Sequence, residues 1–159
     1  MLNDYTSYSD IRAALGVDED DISDETLGLP IYDDLLTQDL EDVDLTVVDT
    51  YTTTTAISSP TAAETRFLRA CKLFATFSVA RQLTSSLPLF AAKQMTDGKA
   101  QIQRFDNPYQ ETIKKVNEQY GLARSRLVTT LLAIGTTADT VVKTYFGVAS
   151  PSTDPVTGS

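Results

Sequence analysis

The chain has 159 residues, which fits one domain able to bury about two thirds of the surface of its unfolded form. It contains no histidine and a single cysteine, Cys71, which excludes histidine-based catalytic triads, internal disulfides and zinc sites built from Cys and His. Its apolar runs are far shorter than the roughly 20 residues that cross a bilayer, and its first residues lack a signal-peptide profile. We therefore expect a protein of a reducing compartment that is not inserted in a membrane.

The charge is divided unequally along the chain. Residues 1–50 contain fifteen Asp or Glu and one basic residue, Arg12, for a net charge of -14. Residues 51–159 contain seven acidic and twelve basic residues, for a net charge of +5. Three interpretations are open: the two parts fold onto each other, identical copies meet acidic part to basic part, or the acids form a solvated surface.

Short helices are predicted in the acidic part. Ser9 precedes an apolar-periodic stretch that ends at Gly16, and these are typical residues for the two ends of a helix. After an acidic linker, Ser23 can cap a second helical stretch, which Pro30 should kink or restart. One apolar stripe is predicted along this second stretch, formed by Leu27, Ile31, Leu35 and Leu36.

Residues 45–58 differ in character from the helical stretches. Val47, Val48 and Ile57 bracket a run of four threonines. Because β-branched residues favour extended structure, we predict an extended linker or an edge strand here.

A long helix is predicted next, with Ser59 as its cap and Pro60 as its first residue, running to about Ser86. Its apolar positions recur at spacings of three and four, which is typical of a helix with one buried face. These positions are Phe67, Ala70, Cys71, Phe74, Phe77, Ser78 and Leu83. The pair Leu87-Pro88 should close the helix.

A second long helix is predicted after a projecting loop at residues 88–106, in which Asp97-Gly98 is a tight-turn signal. Asn107-Pro108 supplies the start, and Gly135 the end. A seven-residue repeat runs along this helix through Tyr109, Ile113, Val116, Tyr120, Ala123, Leu127, Thr130 and Ile134. Such a repeat is typical of a coiled coil and of an antiparallel helical hairpin, and the hairpin with residues 60–86 is the simpler interpretation.

The fold predicted from these elements is mainly α: a helical bundle built on a long antiparallel helix pair, with an extended or strand-like linker and C-terminal arm. Residues 1–135 form the helical domain, and residues 136–159 form the arm, whose end is predicted to be disordered. The strand-like part at 140–146 cannot satisfy its own backbone groups, so it should pair with residues 45–57 or with a sheet edge elsewhere.

No catalytic residue, cofactor or metal site is predicted. Cys71 lies on the apolar stripe of a helix, which favours a buried small hydrophobe over a nucleophile. The spacing of Asp18, Asp20 and Asp24 suggests calcium, but Ile22 occupies a ligand position and the required glycine is missing. A pI near 4.3 opposes nucleic-acid binding through the seven basic residues Lys93, Lys99, Arg104, Lys114, Lys115, Arg124 and Arg126.

Taken in order, the elements of residues 5–135 resemble the head-to-tail adaptor proteins of tailed bacteriophages. The resemblance lies in residues 8–17, the acidic linker with Ser23-Asp24-Glu25, Phe67-Leu68-Arg69-Ala70, Thr96-Asp97-Gly98-Lys99, Gln103-Arg104-Phe105 and the closing long helix. It implies a non-enzymatic structural protein of the virion neck, made in the host cytoplasm, whose identical subunits form a ring, usually twelve-fold, beneath the portal. Such a ring extends the DNA channel and docks the tail or stopper, and DNA passes without sequence-specific contact.

The resemblance also suggests contact residues. Those expected to meet the portal or a neighbour are Lys99, Arg104 and Phe105 in the loop and Val141, Val142, Tyr145 and Phe146 in the arm. Rings require one face of a subunit to meet a different face of the next. The charge division therefore suggests contacts between Asp33, Asp34 and Asp39 of one subunit and Arg66, Arg69 and Lys72 of its neighbour.

A second functional interpretation stays open from the sequence. A small helical regulatory protein, monomeric or dimeric, would bind a partner through the acidic part of the chain. A large assembly that depends on the portal is expected under the first interpretation, and a stable monomer that ignores the portal under the second.

Overall fold

A computed structural model describes residues 2–84 and 110–138, and within these ranges the chain forms seven helices and no strand. The helices are α1 (Leu2–Tyr5), α2 (Tyr8–Leu15), α3 (Asp24–Leu27), α4 (Pro30–Glu41), α5 (Val47–Thr55), α6 (Ala62–Leu83) and α7 (Gln110–Ala138). The predicted mainly α class is confirmed. The loop predicted at 88–106, the Asn107-Pro108 start and the strand at 140–146 lie outside the described residues.

The core of the protein is built around α6. This helix packs against α7 and also against α1, α2, α4 and α5. Its largest fully buried side chains are Phe67, Phe74, Val79 and Leu83. The acidic N-terminal part therefore folds onto the middle of the chain, as the first interpretation of the charge division required.

The apolar stripes predicted for the two long helices are confirmed over the described residues. On α6 every predicted position is buried except Phe77, which is half-buried. On α7, Val116, Ala123 and Leu127 are buried, and the other repeat positions from 113 to 134 are partly buried. The helices meet where the ring of Phe74 lies 5.4 Å from the ring of Tyr120, centroid to centroid.

Residues 47–55 form helix α5, so the prediction of an extended linker or edge strand is wrong. The threonine hydroxyls donate hydrogen bonds to carbonyl oxygens four residues back, such as Thr53 to Asp49 at 2.8 Å and Thr55 to Tyr51 at 2.8 Å. Val47 and Thr54 are buried against the rest of the protein. Packing of this face outweighs the weak preference of β-branched residues for extended structure.

Two predicted helix starts are each displaced by two residues. The cap of α2 is Ser7 rather than Ser9, and its Oγ accepts the backbone N–H of Asp10 at 3.2 Å. The cap of α6 is Thr61 rather than Ser59: Thr61 Oγ1 accepts the N–H of Glu64, whose carboxylate accepts the N–H of Thr61 at 2.6 Å. Such a reciprocal capping box needs a Glu three residues after the cap. The residue three positions after Ser59 is alanine, so Ser59 cannot form this capping box.

Helix ends also differ from the sequence prediction. The end of α2 is as predicted, since Gly16 has φ 72°, a left-handed conformation that glycine adopts without strain. By contrast, α6 ends at Leu83 rather than near Ser86. Helix α7 continues through Gly135 to Ala138, because a glycine within a helix costs only about 1 kcal/mol and does not force an end.

The predicted restart at Pro30 is confirmed, and it changes the apolar stripe. Helix α3 ends at Leu27, and α4 begins anew at Pro30. The break resets the helical phase, so Ile31 is 53% exposed, while Leu36 and Leu40 are fully buried. The predicted stripe through Leu27, Ile31, Leu35 and Leu36 is therefore wrong at Ile31.

The position of the α6 cap can be tested by two matched substitutions. Thr61→Ala removes the side chain that accepts the Glu64 N–H, so we expect it to lower the free energy of unfolding by about 1 kcal/mol. Ser59→Ala, which removes a hydroxyl at the exposed position predicted from the sequence, should change it by less than about 0.5 kcal/mol. Urea denaturation followed by circular dichroism measures both, and the reverse order would place the cap at Ser59.

Candidate functional site

Arg12, the single basic residue of the first fifty, has a structural role. Its side chain is largely buried, its Nε donates to the carbonyl of Ile22 at 2.7 Å, and its guanidinium pairs with the carboxylate of Asp24. Ile22 is itself fully buried. Arg12 therefore holds the acidic linker against α2 and leaves the outer surface of this part acidic.

Three of the six charges predicted to link neighbouring subunits bind within their own chain. A carboxylate oxygen of Asp33 accepts the backbone N–H of Leu2 at 2.6 Å, and Asp39 accepts the hydroxyl of Ser78 at 2.5 Å. Lys72 forms an ion pair with Asp10 at 2.8 Å, and this hydrogen bond lowers the pKa of the Asp10 carboxyl. These three charges therefore stabilise the fold of their own subunit.

The other three predicted charges, Asp34, Arg66 and Arg69, are exposed. Both arginines line a depression of about 250 Å³ between α6 and α7, together with Arg126. A second depression of about 250 Å³ continues from it along α7. We call this surface the arginine groove; it is lined by Arg66, Arg69 and Leu73 of α6 and by Leu122, Arg126 and Thr130 of α7.

The arginine groove combines positive charge with exposed apolar surface. Leu73 is 40% exposed and Leu122 is 51% exposed. Within residues 2–84 and 110–138, no carboxylate forms an ion pair with any of the three arginines. Single exposed leucines are common on any protein surface, whereas arginine is enriched at protein interfaces, so the three arginines are what make this groove a candidate binding surface.

A surface of opposite sign lies on α4. Ile31, Asp34, Gln38 and Glu41 are all exposed and recur at spacings of three and four. They face away from Leu36 and Leu40, the buried side of the same helix. We call these four residues the acidic ridge. Leu45, in the turns that follow the helix, is 78% exposed.

An aromatic cleft that the sequence prediction missed lies between α1 and α5. The rings of Tyr5 and Tyr51 stack with their centroids 4.0 Å apart, and the Tyr51 hydroxyl donates to the carbonyl of Asp4. The cleft has a volume of about 520 Å³ and is otherwise lined by Val48, Thr52, Thr55 and Ala56. Burial raises the pKa of Tyr5 to about 12, so its phenol is neutral at ordinary pH.

The other residues considered for catalysis or metal binding are buried or bonded within their own segment. Cys71 is fully buried, and burial raises the pKa of its thiol to about 12. In the acidic linker, Asp18 accepts the backbone N–H groups of Asp20 and Asp21 at 3.1 and 3.2 Å, which closes a turn. Across the described residues, no group of three or more His, Cys, Asp or Glu side chains is arranged to hold a metal ion.

Four of the seven basic residues considered above for nucleic-acid binding lie on α7, and they do not form one patch. Lys114 lies 4.0 Å from Glu118 on the same helix, whereas Arg124 donates to the carbonyl of Asp42 at 3.2 Å. Arg126 lines the arginine groove. Arg124 and Arg126 thus leave α7 on different sides, one toward the end of α4 and the other toward the groove.

No protein-family model, curated protein or solved structure matches this chain. In the part of the chain that the structure describes, none of the helices is both long and apolar enough to cross a membrane. The observations that bear on function are therefore the surfaces described above and the resemblance in the order of elements.

The state of Cys71 can be tested with a thiol reagent. Because the raised pKa keeps the buried thiol protonated, we expect less than a few per cent of the native protein to react with Ellman's reagent within minutes at pH 8. In 6 M guanidinium chloride one thiol per chain should react. Rapid stoichiometric reaction of the native protein would contradict a buried, neutral Cys71.

Proposed function

We propose that this chain is a structural protein of the bacteriophage virion: a head-to-tail adaptor that forms a ring beneath the portal, extends the DNA channel and docks the tail or stopper. The proposal rests on the resemblance in the order of elements over residues 5–135. The observation that supports it furthest is that one helical subunit displays two exposed surfaces of opposite charge, the arginine groove and the acidic ridge.

We also infer that α6 and α7 form the antiparallel hairpin predicted from the seven-residue repeat. Arg66 and Ala70, early in α6, share a depression with Arg126 and Thr130, late in α7. Later in α6, the guanidinium carbon of Arg81 lies 4.6 Å from the ring centroid of Tyr120. Contacts move backward along α7 as they move forward along α6, which is the order of an antiparallel pair.

The two charged surfaces lie on different sides of the subunit. Helix α4 meets α6 at Ser78, through the hydrogen bond from its hydroxyl to Asp39. Ser78 and Arg69 are nine positions apart, about two and a half helical turns, so their side chains leave opposite sides of α6. A subunit with complementary surfaces on different sides associates head to tail, and such contacts generate rings when the rotation closes.

The remaining contacts are assigned to segments on either side of α7. Lys99, Arg104 and Phe105 of the loop and Val141, Val142, Tyr145 and Phe146 of the arm are proposed to contact the portal or a neighbouring subunit. Residues 140–146 are rich in β-branched and aromatic residues, a composition suited to pairing with a strand of another protein. DNA in the channel would be passed without sequence-specific contact.

Binding to the portal tests this function directly. The full chain, mixed with the portal protein encoded in the same genome, should form a larger complex in size-exclusion chromatography with light scattering, and electron microscopy should show added density as a ring on one face of the portal. Replacement of Val141, Val142, Tyr145 and Phe146 by serine should weaken binding at least about tenfold, since apolar anchors dominate protein interfaces.

The matched control for that variant changes Ser152 and Thr153, farther along the same arm, to alanine. This control should bind the portal as the unsubstituted chain does. A chain that stays monomeric and ignores the portal would overturn the adaptor proposal and support the alternative, a regulatory protein that binds through its acidic part.

A further inference from the structure

We propose that the acidic ridge of one copy docks in the arginine groove of a second copy. This inference rests on the proposed function, because it names the contact by which identical subunits would join. The occupant of the groove is thus α4 of the neighbouring chain, with Asp34 and Glu41 meeting Arg66, Arg69 and Arg126.

Charge is the first reason for choosing this occupant. The groove presents three arginines that form no ion pair within the described residues, and the ridge presents two exposed carboxylates on one helical face. Guanidinium groups bind carboxylates through paired hydrogen bonds and stay charged at all ordinary pH values. Complementary charges of this kind fix the register of an interface and speed its formation.

Shape and apolar surface agree with the charges. From Ile31 to Glu41 the ridge is about 15 Å long, and the groove follows α6 from Arg66 to Leu73 for about 10 Å. The ridge begins at the exposed Ile31, and the groove has Leu73 and Leu122 beside its arginines. Apolar contacts flanking the ion pairs would exclude water from them, which strengthens charged interactions.

The segments outside the described residues are poorer occupants by their charge. Residues 85–109 contain Lys93, Lys99 and Arg104 against Asp97 and Asp106, which gives a net charge of +1. Residues 139–159 contain two acidic residues, Asp139 and Asp154, and one basic residue, Lys143. Neither carries two carboxylates at the helical spacing of Asp34 and Glu41.

Cysteine cross-linking tests this contact between two copies, both for the chain alone and in the presence of the portal. Copies carrying Gln38→Cys, in the middle of the ridge, are mixed with copies carrying Ser125→Cys, which lines the groove where it continues along α7. Under mild oxidation we expect a cross-linked dimer of the two variants. Copies carrying Asn117→Cys replace the Ser125→Cys copies as the control, because Asn117 is exposed and lies nine positions before Arg126, on the opposite side of α7 from that arginine of the groove.

Cys71 is kept in these chains, since it is buried, and the unsubstituted chain measures its contribution to any cross-link. Cross-links at Asn117→Cys as strong as those at Ser125→Cys would overturn the proposed contact. So would the absence of any Gln38–Ser125 cross-link both in free solution at high concentration and on the portal.

Charge reversal gives a second, independent test. Arg66→Glu with Arg126→Glu, or Asp34→Arg with Glu41→Arg, places like charges across the contact and should weaken self-association by more than about tenfold. A chain that carries all four substitutions restores opposite charges at positions 66 and 126, with Arg69 unchanged, and should regain part of the association. Asp49→Arg, an exposed acid on α5, is the control and should have little effect.

The outcomes separate this inference from the adaptor function. Portal-bound rings that form equally well with every charge variant would refute the ridge-to-groove contact and leave the adaptor function standing. Cross-linking and charge rescue in the absence of portal binding would support the contact between copies and count against the adaptor function. Loss of association in both double variants without rescue in the fourfold variant would refute the proposed pairing.

Discussion

The structure depends on the burial of α6 on almost every side. Its phenylalanines and small residues pack against α7 along one part of the α6 surface and against the short N-terminal helices along most of the rest. Burying side chains of the size of Phe67 and Phe74 stabilises a fold by about 2–3 kcal/mol each, more than caps or surface ion pairs contribute. A helix as short as α1, with four residues, exists because it packs on this central helix.

Central burial also decides which charges remain exposed to solvent. Where acidic helices lie on α6, their charges are used inside the subunit, as in the Lys72–Asp10 ion pair and the hydrogen bond from Ser78 to Asp39. Where α6 is exposed beside α7, Arg66, Arg69 and Arg126 remain at the surface. The net charge of each half was thus a poor guide to single residues, since position on the helix determines whether a charge meets its own chain or solvent.

The long apolar stripes of α6 and α7 were predictable because helical periodicity over six or more turns is a strong signal. Helix α5 was not, because Thr52 to Thr55 favour extended structure locally and only the burial of Val47 and Thr54 makes the helix stable. The arginine groove was half predicted: Arg66 and Arg69 were selected for their charge. Arg126 was assigned to another patch, since the pairing of α6 with α7 that brings it near them depends on contacts distant in sequence.

We propose that this subunit assembles through two surfaces, the arginine groove and the acidic ridge. Hydrogen–deuterium exchange of the assembled and dissociated protein tests it most directly. We predict slower exchange on assembly in peptides covering residues 66–73, 122–130 and 31–41, with little change at residues 47–55 of the aromatic cleft. Protection confined to the aromatic cleft, with the groove and ridge unchanged, would contradict it.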